Sequence, residues 1–298
     1  MLHYMRLFSI QRYKRCTLRL LSTAADVLHR VRLRDKSPVC ICRKSAEAVE
    51  LGPQFAISLD GALLESPLGN LMTTRSRIVA ELVVDEWRSH IGQLTRFGTI
   101  PTTMLLSEMI DLCPSMRDAV LKGIMLALNF DTALRFDRRD VVELPPLESI
   151  STLDTRHMDA LAKLDLDVLQ SSYLLPILEK FAKIRGTSPL AHSASLTTEL
   201  QQPPDVLKHI EHMLHSMPLH ELVTMNNVHK RLKSVILPME LLDGVIGATQ
   251  ALRASRLEET LQAASWGIND EFLDHEETML KELNAALRFR EAHIHSGT

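Results

Sequence analysis

A short alternation of apolar and polar positions is the first clear pattern along the chain. Residues 55–59, FAISL, place their larger apolar side chains at every second position, which is the period of a half-buried β-strand. The dipeptide Asp60-Gly61 follows and is typical of a tight hairpin turn, and the letters PLGN give a second turn signal further on. We therefore predict two or three short antiparallel strands within residues 55–74.

The next segment has the three-to-four-residue period of an α-helix. Residues 73–90 carry this pattern, and either Thr73 or Thr74 is expected to cap the helix at its N-terminus. A loop that contains Pro101 follows, and then a short helix that ends before Pro114.

Helices are predicted for nearly everything after residue 115. One long or broken helix over residues 159–186 is expected to kink near Pro176 and to end at Gly186. Residues 187–205 then form a loop that is long enough to be functional or mobile.

These patterns predict an α+β fold. A small β-rich N-terminal domain, with short antiparallel strands and a helix, is placed at residues 45–112, and a larger all-α domain at residues 113–298. Hydrophobic residues make up 45% of the chain and aromatic residues only 4%, so the core is expected to be mainly aliphatic. No run of about 18 apolar residues occurs, and we expect no stable insertion into a membrane.

Charge sets the N-terminus apart from the rest of the chain. Residues 1–44 hold eleven Lys or Arg and two Asp, a net charge of +9, whereas the whole chain carries −3 and residues 45–298 therefore carry −12. The first 25 residues contain no acidic side chain. This composition is typical of a mitochondrial transit peptide, and a basic arm that contacts nucleic acid is the alternative. We predict a leader at residues 1–44 and a location in the mitochondrial matrix.

Motifs for chemistry are missing from the sequence. Neither of the two glycine-rich phosphate-binding motifs occurs, and GxSxG is also absent. His220-Glu221 begins like a zinc-protease motif, but Thr224 stands where the second histidine is required. The acidic body also gives no nucleic-acid surface. We expect a protein that is not an enzyme and that needs no cofactor.

Several residues could carry chemistry, but each has a plainer interpretation. His209, His212 and His215 follow one another at steps of three, and we interpret them as a solvated face rather than a metal site. Paired acids such as Asp85-Glu86 are usually surface charge, because acid–base work requires their pKa values to be pushed apart. Trp87 is expected in the core.

The segment RLEETLQAASWG, residues 256–267, presents two different faces as a helix. Glu258 or Glu259, with Gln262 and Trp266, fall on one stripe at steps of three and four. An apolar stripe for the core runs along the other side, formed by Leu257, Leu261, Ala264 and Ile268. The polar stripe is either a solvated edge or a surface that binds a partner.

Several segments in order resemble one protein family. LDGALLESPLGNLMTTRSRIVAELVVDEW (59–87), IPTTMLLSEMIDL (100–112), NFDTALRF (129–136), YLLPILEKFAKIRG (173–186), LKSVILPMELLDG (232–244) and RLEETLQAASWG are similar to landmarks of the ATP12 chaperone family. These mitochondrial assembly factors chaperone the alpha subunit of the ATP synthase F1 sector. The resemblance spans roughly residues 50–275.

The resemblance implies a chaperone that binds unassembled alpha subunit and prevents its aggregation before the alpha/beta hexamer forms. It also implies an essential acidic residue in the last segment, and either glutamate fits. We therefore predict a partner-binding patch of Glu258, Glu259, Gln262 and Trp266 on a monomeric protein. The alternatives are that a glutamate bridges within the protein while Trp266 packs in the core, or that the chain is a matrix enzyme or a stable accessory subunit of a mitochondrial complex.

Overall fold

The computed structural model describes residues 30–32, 42, 44–93, 95, 99–112, 114–150, 155–195 and 200–295. Most of the predicted leader, residues 1–44, lies outside these described residues.

A small sheet forms the N-terminal part of the described chain. Its strands are β1 (Arg30–Arg32), β2 (Ala46–Leu51), β3 (Gln54–Leu59), β4 (Ala62–Glu65) and β5 (Thr73–Thr74). The order is β1-β4-β3-β2, with β5 also paired to β3, and all pairs are antiparallel except β1 with β4. The predicted antiparallel strands are confirmed, whereas β1 and β2 were not predicted.

The hairpin between β3 and β4 is closed by the predicted two-residue turn. Asp60 and Gly61 have φ values of 52° and 82°, and a tight turn with positive φ at both positions matches the twist of the flanking strands. The carboxylate of Asp60 also accepts the backbone N–H groups of Lys44 and Ser45 at 2.7 and 3.0 Å, which helps it to hold this conformation.

Helices make up most of the remaining chain. They are α1 (Arg77–Arg88), α2 (Pro101–Asp111), α3 (Pro114–Ala127), α4 (Thr155–Leu161), α5 (Leu166–Arg185), α6 (Pro204–Ser216), α7 (Leu219–Leu232), α8 (Ile236–Leu242), α9 (Ala248–Ala254), α10 (Leu257–Trp266) and α11 (Asp270–Ile294). Short 3-10 turns lie at Leu128–Phe130, Thr132–Leu134 and Leu147–Ser149. The predicted α+β class, with a small sheet followed by a helical region, is confirmed.

The predicted cap of helix α1 is wrong. Ser76 is the N-cap, and its hydroxyl oxygen accepts the N–H of Val79 at 3.1 Å. Thr73 and Thr74 instead pair with β3 as strand β5, because the chain adds two residues to the sheet before it turns into the helix.

The long or broken helix predicted over residues 159–186 is broken, and its two parts are α4 and α5. Helix α5 runs without interruption through Pro176 and ends at Gly186, whose φ is 63°. A glycine in this left-handed conformation ends a helix without the penalty of a Cβ atom, so that part of the prediction is confirmed.

Helix α11 contacts both the N-terminal elements and the later helices. It packs against α1 and α2 near the sheet and against α7 and α9 in the helical part. Ile57, Trp87 and Phe289 accordingly belong to one hydrophobic core. The boundary at residues 112 and 113 stays a prediction. Within the part of the chain described, no helix combines the length and hydropathy of a membrane span.

Candidate partner-binding surface

Glu86, in the acidic pair on helix α1, joins this helix to helix α2. Glu86 accepts the backbone N–H groups of Thr102 and Thr103, each at 2.8 Å, and the hydroxyl of Thr103 at 2.6 Å. These groups lie in the first turn of α2, so Glu86 satisfies donors that a helix N-terminus leaves unpaired. Burial raises the pKa of Glu86. The next residue, Trp87, is completely buried, as predicted.

The turn that follows strand β4 is fixed to the other end of helix α2. Asp111 accepts the hydroxyl of Ser66 at 2.5 Å, the side-chain amide of Asn70 at 2.8 Å and the N–H of Leu68 at 3.3 Å. The PLGN turn and the end of α2 therefore belong to one hydrogen-bonded unit.

A buried carboxylate joins the NFDTALRF segment to helix α8. Asp131 is completely buried and accepts the N–H groups of Val235, Ile236 and Ala133 at 2.7, 3.1 and 2.9 Å. Burial raises its pKa, while these hydrogen bonds and the hydroxyl of Ser234 act in the opposite direction.

An ion pair joins the end of α5 to α8 in the same way. The guanidinium of Arg185 contacts the carboxylates of Glu240 and Asp243, and its side chain is only 4% exposed. The pKa of Glu240 is raised by burial, which the charge of Arg185 partly offsets. The segment around Arg185 therefore has a structural role.

Helix α10 differs because much of its polar surface is left open. Leu257 and Ala263 are buried on its inner side, and the rest of the predicted apolar stripe, Leu261, Ala264 and Ile268, packs against the core. The apolar stripe is therefore confirmed.

The predicted polar stripe divides into two parts. Glu258 and Gln262 are exposed, and the amide of Gln262 donates to the carboxylate of Glu258 at 3.2 Å. Trp266, at the end of the helix, is 82% exposed. Its alternative placement in the core is therefore wrong. We call Glu258, Gln262 and Trp266 the outer patch.

Glu259 lies beside a groove instead. Its carboxylate is 3.9 Å from the ammonium of Lys233, and both residues line a cavity of about 450 Å³ that we call the charged groove. The remaining lining residues are Met104, Glu108, Asn227, Lys230, Arg231, Ser255, Arg256, His275, Thr278, Met279 and Glu282.

Oppositely charged side chains meet in the charged groove. Arg231 pairs with Glu282 at 2.6 Å across helices α7 and α11. Burial raises the pKa of Glu108, which the charges of Lys230 and Arg231 partly offset. This groove could hardly be predicted from the sequence, because its lining residues lie in or next to α2, α7, α10 and α11, far apart along the chain.

The histidines of helix α6 do not form a metal centre with their described neighbours. His212 and His215 are exposed, and burial together with the charge of Arg185 lowers the pKa of the half-buried His209. In the regions that the structure describes, no group of three or more His, Cys, Asp and Glu side chains is arranged to hold a metal ion.

Solved structures share this fold. The crystal structure of Atp12 from Paracoccus denitrificans matches with a TM-score of 0.63 and 19% sequence identity, over 84% of this chain and 96% of the other. The Atu1473 protein from Agrobacterium tumefaciens matches with a TM-score of 0.65 and 21% identity, over 84% of each chain. A mutant of P. denitrificans Atp12p gives a TM-score of 0.62 and 20% identity, over 86% and 97%.

The fold is thus one shared with Atp12 and with a protein described as a putative chaperone. A comparison of sequences agrees, since residues 41–182 match the family described as ATP12 chaperone protein. This match confirms, over residues 41–182, the resemblance to the ATP12 chaperone family noted in the sequence.

Proposed function

We propose that the protein binds the unassembled alpha subunit of the mitochondrial F1-ATPase and prevents its aggregation until the beta subunit takes its place. The match of residues 41–182 to a family of chaperones supports such a role. An isolated subunit of an obligate complex exposes a large apolar interface, and such a surface aggregates unless another protein covers it.

The exposed tryptophan of the outer patch carries this proposal. A large aromatic ring that is 82% exposed is unusual in a chain that buries its other tryptophan completely. Tryptophan is enriched among the residues that dominate protein interfaces, because it buries a large area at a small cost in conformational entropy. Glu258 and Gln262 lie on the same helix and give the ring a polar margin.

Capture of the alpha subunit from matrix extract tests the proposal. The immobilised chain should retain unassembled alpha subunit without the complete enzyme, and Trp266→Ala combined with Glu258→Lys should reduce capture at least about tenfold, the size of effect expected at an interface centre. Both positions are exposed, so the variant should keep the fold.

The control is Glu50→Lys, which makes the same charge change at an exposed position in strand β2. It should leave capture unchanged. Undiminished capture by the folded double variant would exclude the outer patch. Recovery of the chain in constant proportion with an assembled complex would instead identify a stable accessory subunit.

We also infer that residues 1–44 direct the protein to the matrix, because they carry a net charge of +9 and a basic segment is drawn across the inner membrane by its potential. A reporter protein fused to these residues should be imported by isolated mitochondria, and replacement of their arginines by glutamine should abolish import. Equal import of both fusions would contradict the inference.

A further inference from the structure

Arg256 stands out on the wall of the charged groove as a buried cation without a carboxylate partner. It is 8% exposed, and its Nη1 atom is buried with no hydrogen-bond partner. Its guanidinium lies over the ring of Phe272, 4.6 Å from the centroid. Of the carboxylates in the described chain, none lies within ion-pair distance of it.

Arg185, whose side chain is also deeply buried, shows what Arg256 lacks. Arg185 also lies over an aromatic ring, that of Phe181, but it contacts the carboxylates of Glu240 and Asp243 as well. A buried charge is expensive to remove from water unless an opposite charge and hydrogen bonds replace its hydration. Arg256 has only the attraction of the ring for a cation.

The groove beside Arg256 offers room for the missing partner. Its volume of about 450 Å³ is sufficient for several side chains. Arg231 is already engaged by Glu282 at 2.6 Å, and the contact of Lys233 with Glu259 is long at 3.9 Å. Lys230 lines the same groove. A negatively charged group placed there would face Arg256 and two lysines, and it would also meet the carboxylates of Glu108 and Glu259.

The geometry points to a binding site for an acidic segment of a partner protein, whose carboxylate enters the charged groove and acts as the counter-charge of Arg256. This inference rests on the proposed function only in taking the ligand to be a protein segment. Glu108 and Glu259 also line the groove and repel an acidic ligand, so they limit affinity and favour release.

A peptide-binding experiment on the full chain tests the site directly. The probe is a fluorescently labelled, acetylated tetraglutamate peptide, with tetraglutamine and tetralysine peptides of the same design as comparisons. Tetraglutamate should bind with an affinity that falls as salt is raised, because the contact depends on charge, and the other two should bind at least about tenfold more weakly.

Arg256→Met is the diagnostic variant. Methionine keeps an apolar stem against Phe272 and removes the unpaired charge, so the free energy of unfolding in urea should stay equal or rise. The affinity for tetraglutamate should fall at least about tenfold. The matched control, Arg138→Met, changes an arginine whose side chain is 66% exposed and should alter neither measurement.

Glu259→Gln should change the affinity for tetraglutamate in the direction opposite to Arg256→Met. It removes a negative charge from the groove and should strengthen tetraglutamate binding by about threefold or more. Equal affinity of wild type and Arg256→Met, stronger binding of tetralysine, or weaker tetraglutamate binding by Glu259→Gln would each overturn the inference.

Lys230→Met keeps the test decisive if Arg256→Met fails to fold. Lys230 is exposed, and its replacement should weaken tetraglutamate binding without unfolding the protein. Unchanged binding would then exclude the site. Because these measurements use peptides, they can succeed even if the alpha subunit is not the client, and they can fail while capture through the outer patch succeeds.

Discussion

The two tryptophans of the chain lie in opposite environments. Trp87 is completely buried and lies on helix α1, which packs against the sheet and helix α2, whereas Trp266 is 82% exposed. We expect Trp87→Ala to lower the free energy of unfolding by about 3–5 kcal/mol, since it empties part of the core. Trp266→Ala should change it by less than about 0.5 kcal/mol.

Urea unfolding of both variants measures the difference. Equal losses would mean that Trp266 is covered within its own chain. The sequence alone left this open for Trp266, because a tryptophan on a helical stripe fits either the core or an interface.

A partly buried histidine makes stability depend on pH. Burial, with a smaller effect from the charge of Lys230, lowers the pKa of His229 to about 4. As pH falls, His229 takes up a proton near pH 6.5 in the unfolded chain but only near pH 4 in the folded chain. Protonation therefore favours the unfolded chain, and stability is lost as pH falls through this window.

Comparison with His229→Gln isolates this contribution from that of the buried carboxylates, whose raised pKa values act in the opposite direction. Between about pH 7.5 and pH 5 the wild type should lose up to about 2 kcal/mol relative to the variant. Parallel loss in both proteins, measured by urea unfolding at the two pH values, would show that His229 is not responsible.

At the scale of elements, helix α2 depends on a carboxylate supplied by helix α1. Glu86→Gln should lower the free energy of unfolding by about 2–3 kcal/mol, because an amide cannot accept all three hydrogen bonds that the carboxylate accepts from Thr102 and Thr103. The adjacent Asp85 is 66% exposed and pairs with Arg88 on the surface. Asp85→Asn should therefore cost less than about 1 kcal/mol.

Thermal or urea unfolding of the two single variants gives the comparison, and equal effects would contradict the capping role. Adjacent acids look alike in a sequence. Only the packing of α1 against α2 distinguishes them.

The elements that the sequence predicted are those with strong local signals. The Asp60-Gly61 turn and the Gly186 stop each depend on a backbone conformation that few residues adopt readily. Strand β2 has exposed glutamates at positions 47 and 50 and only one fully buried residue. Its hydrophobic pattern is therefore weak, and it is a strand because it pairs with β3. Helix α11 was covered only by the general expectation of helices, and nothing local indicated that it returns to α1 and α2.

The candidate site was only partly predictable for a related reason. The spacing of RLEETLQAASWG placed Glu258, Gln262 and Trp266 on one face of a helix. In the structure these three side chains are exposed on helix α10. Glu259 instead faces Lys233 in the charged groove, and the other walls of that groove come from α2, α7 and α11. Spacing within one helix cannot report contacts made by others.

At the scale of the whole molecule, most segments that resemble the ATP12 family contact one another. The turn after β4 meets the end of α2 through Asp111, α1 meets the start of α2 through Glu86, and α8 is held by Asp131 and Arg185. Helix α10 presents its outer patch to solvent on this framework. This exposed aromatic surface is the feature on which the proposed function depends.

Light scattering from isolated alpha subunit, warmed until it aggregates, tests the central claim most directly. An equimolar amount of the wild-type chain should suppress the scattering, the Trp266→Ala and Glu258→Lys double variant should not, and addition of beta subunit should release the client. Unchanged scattering in the presence of the folded wild-type chain would contradict the account.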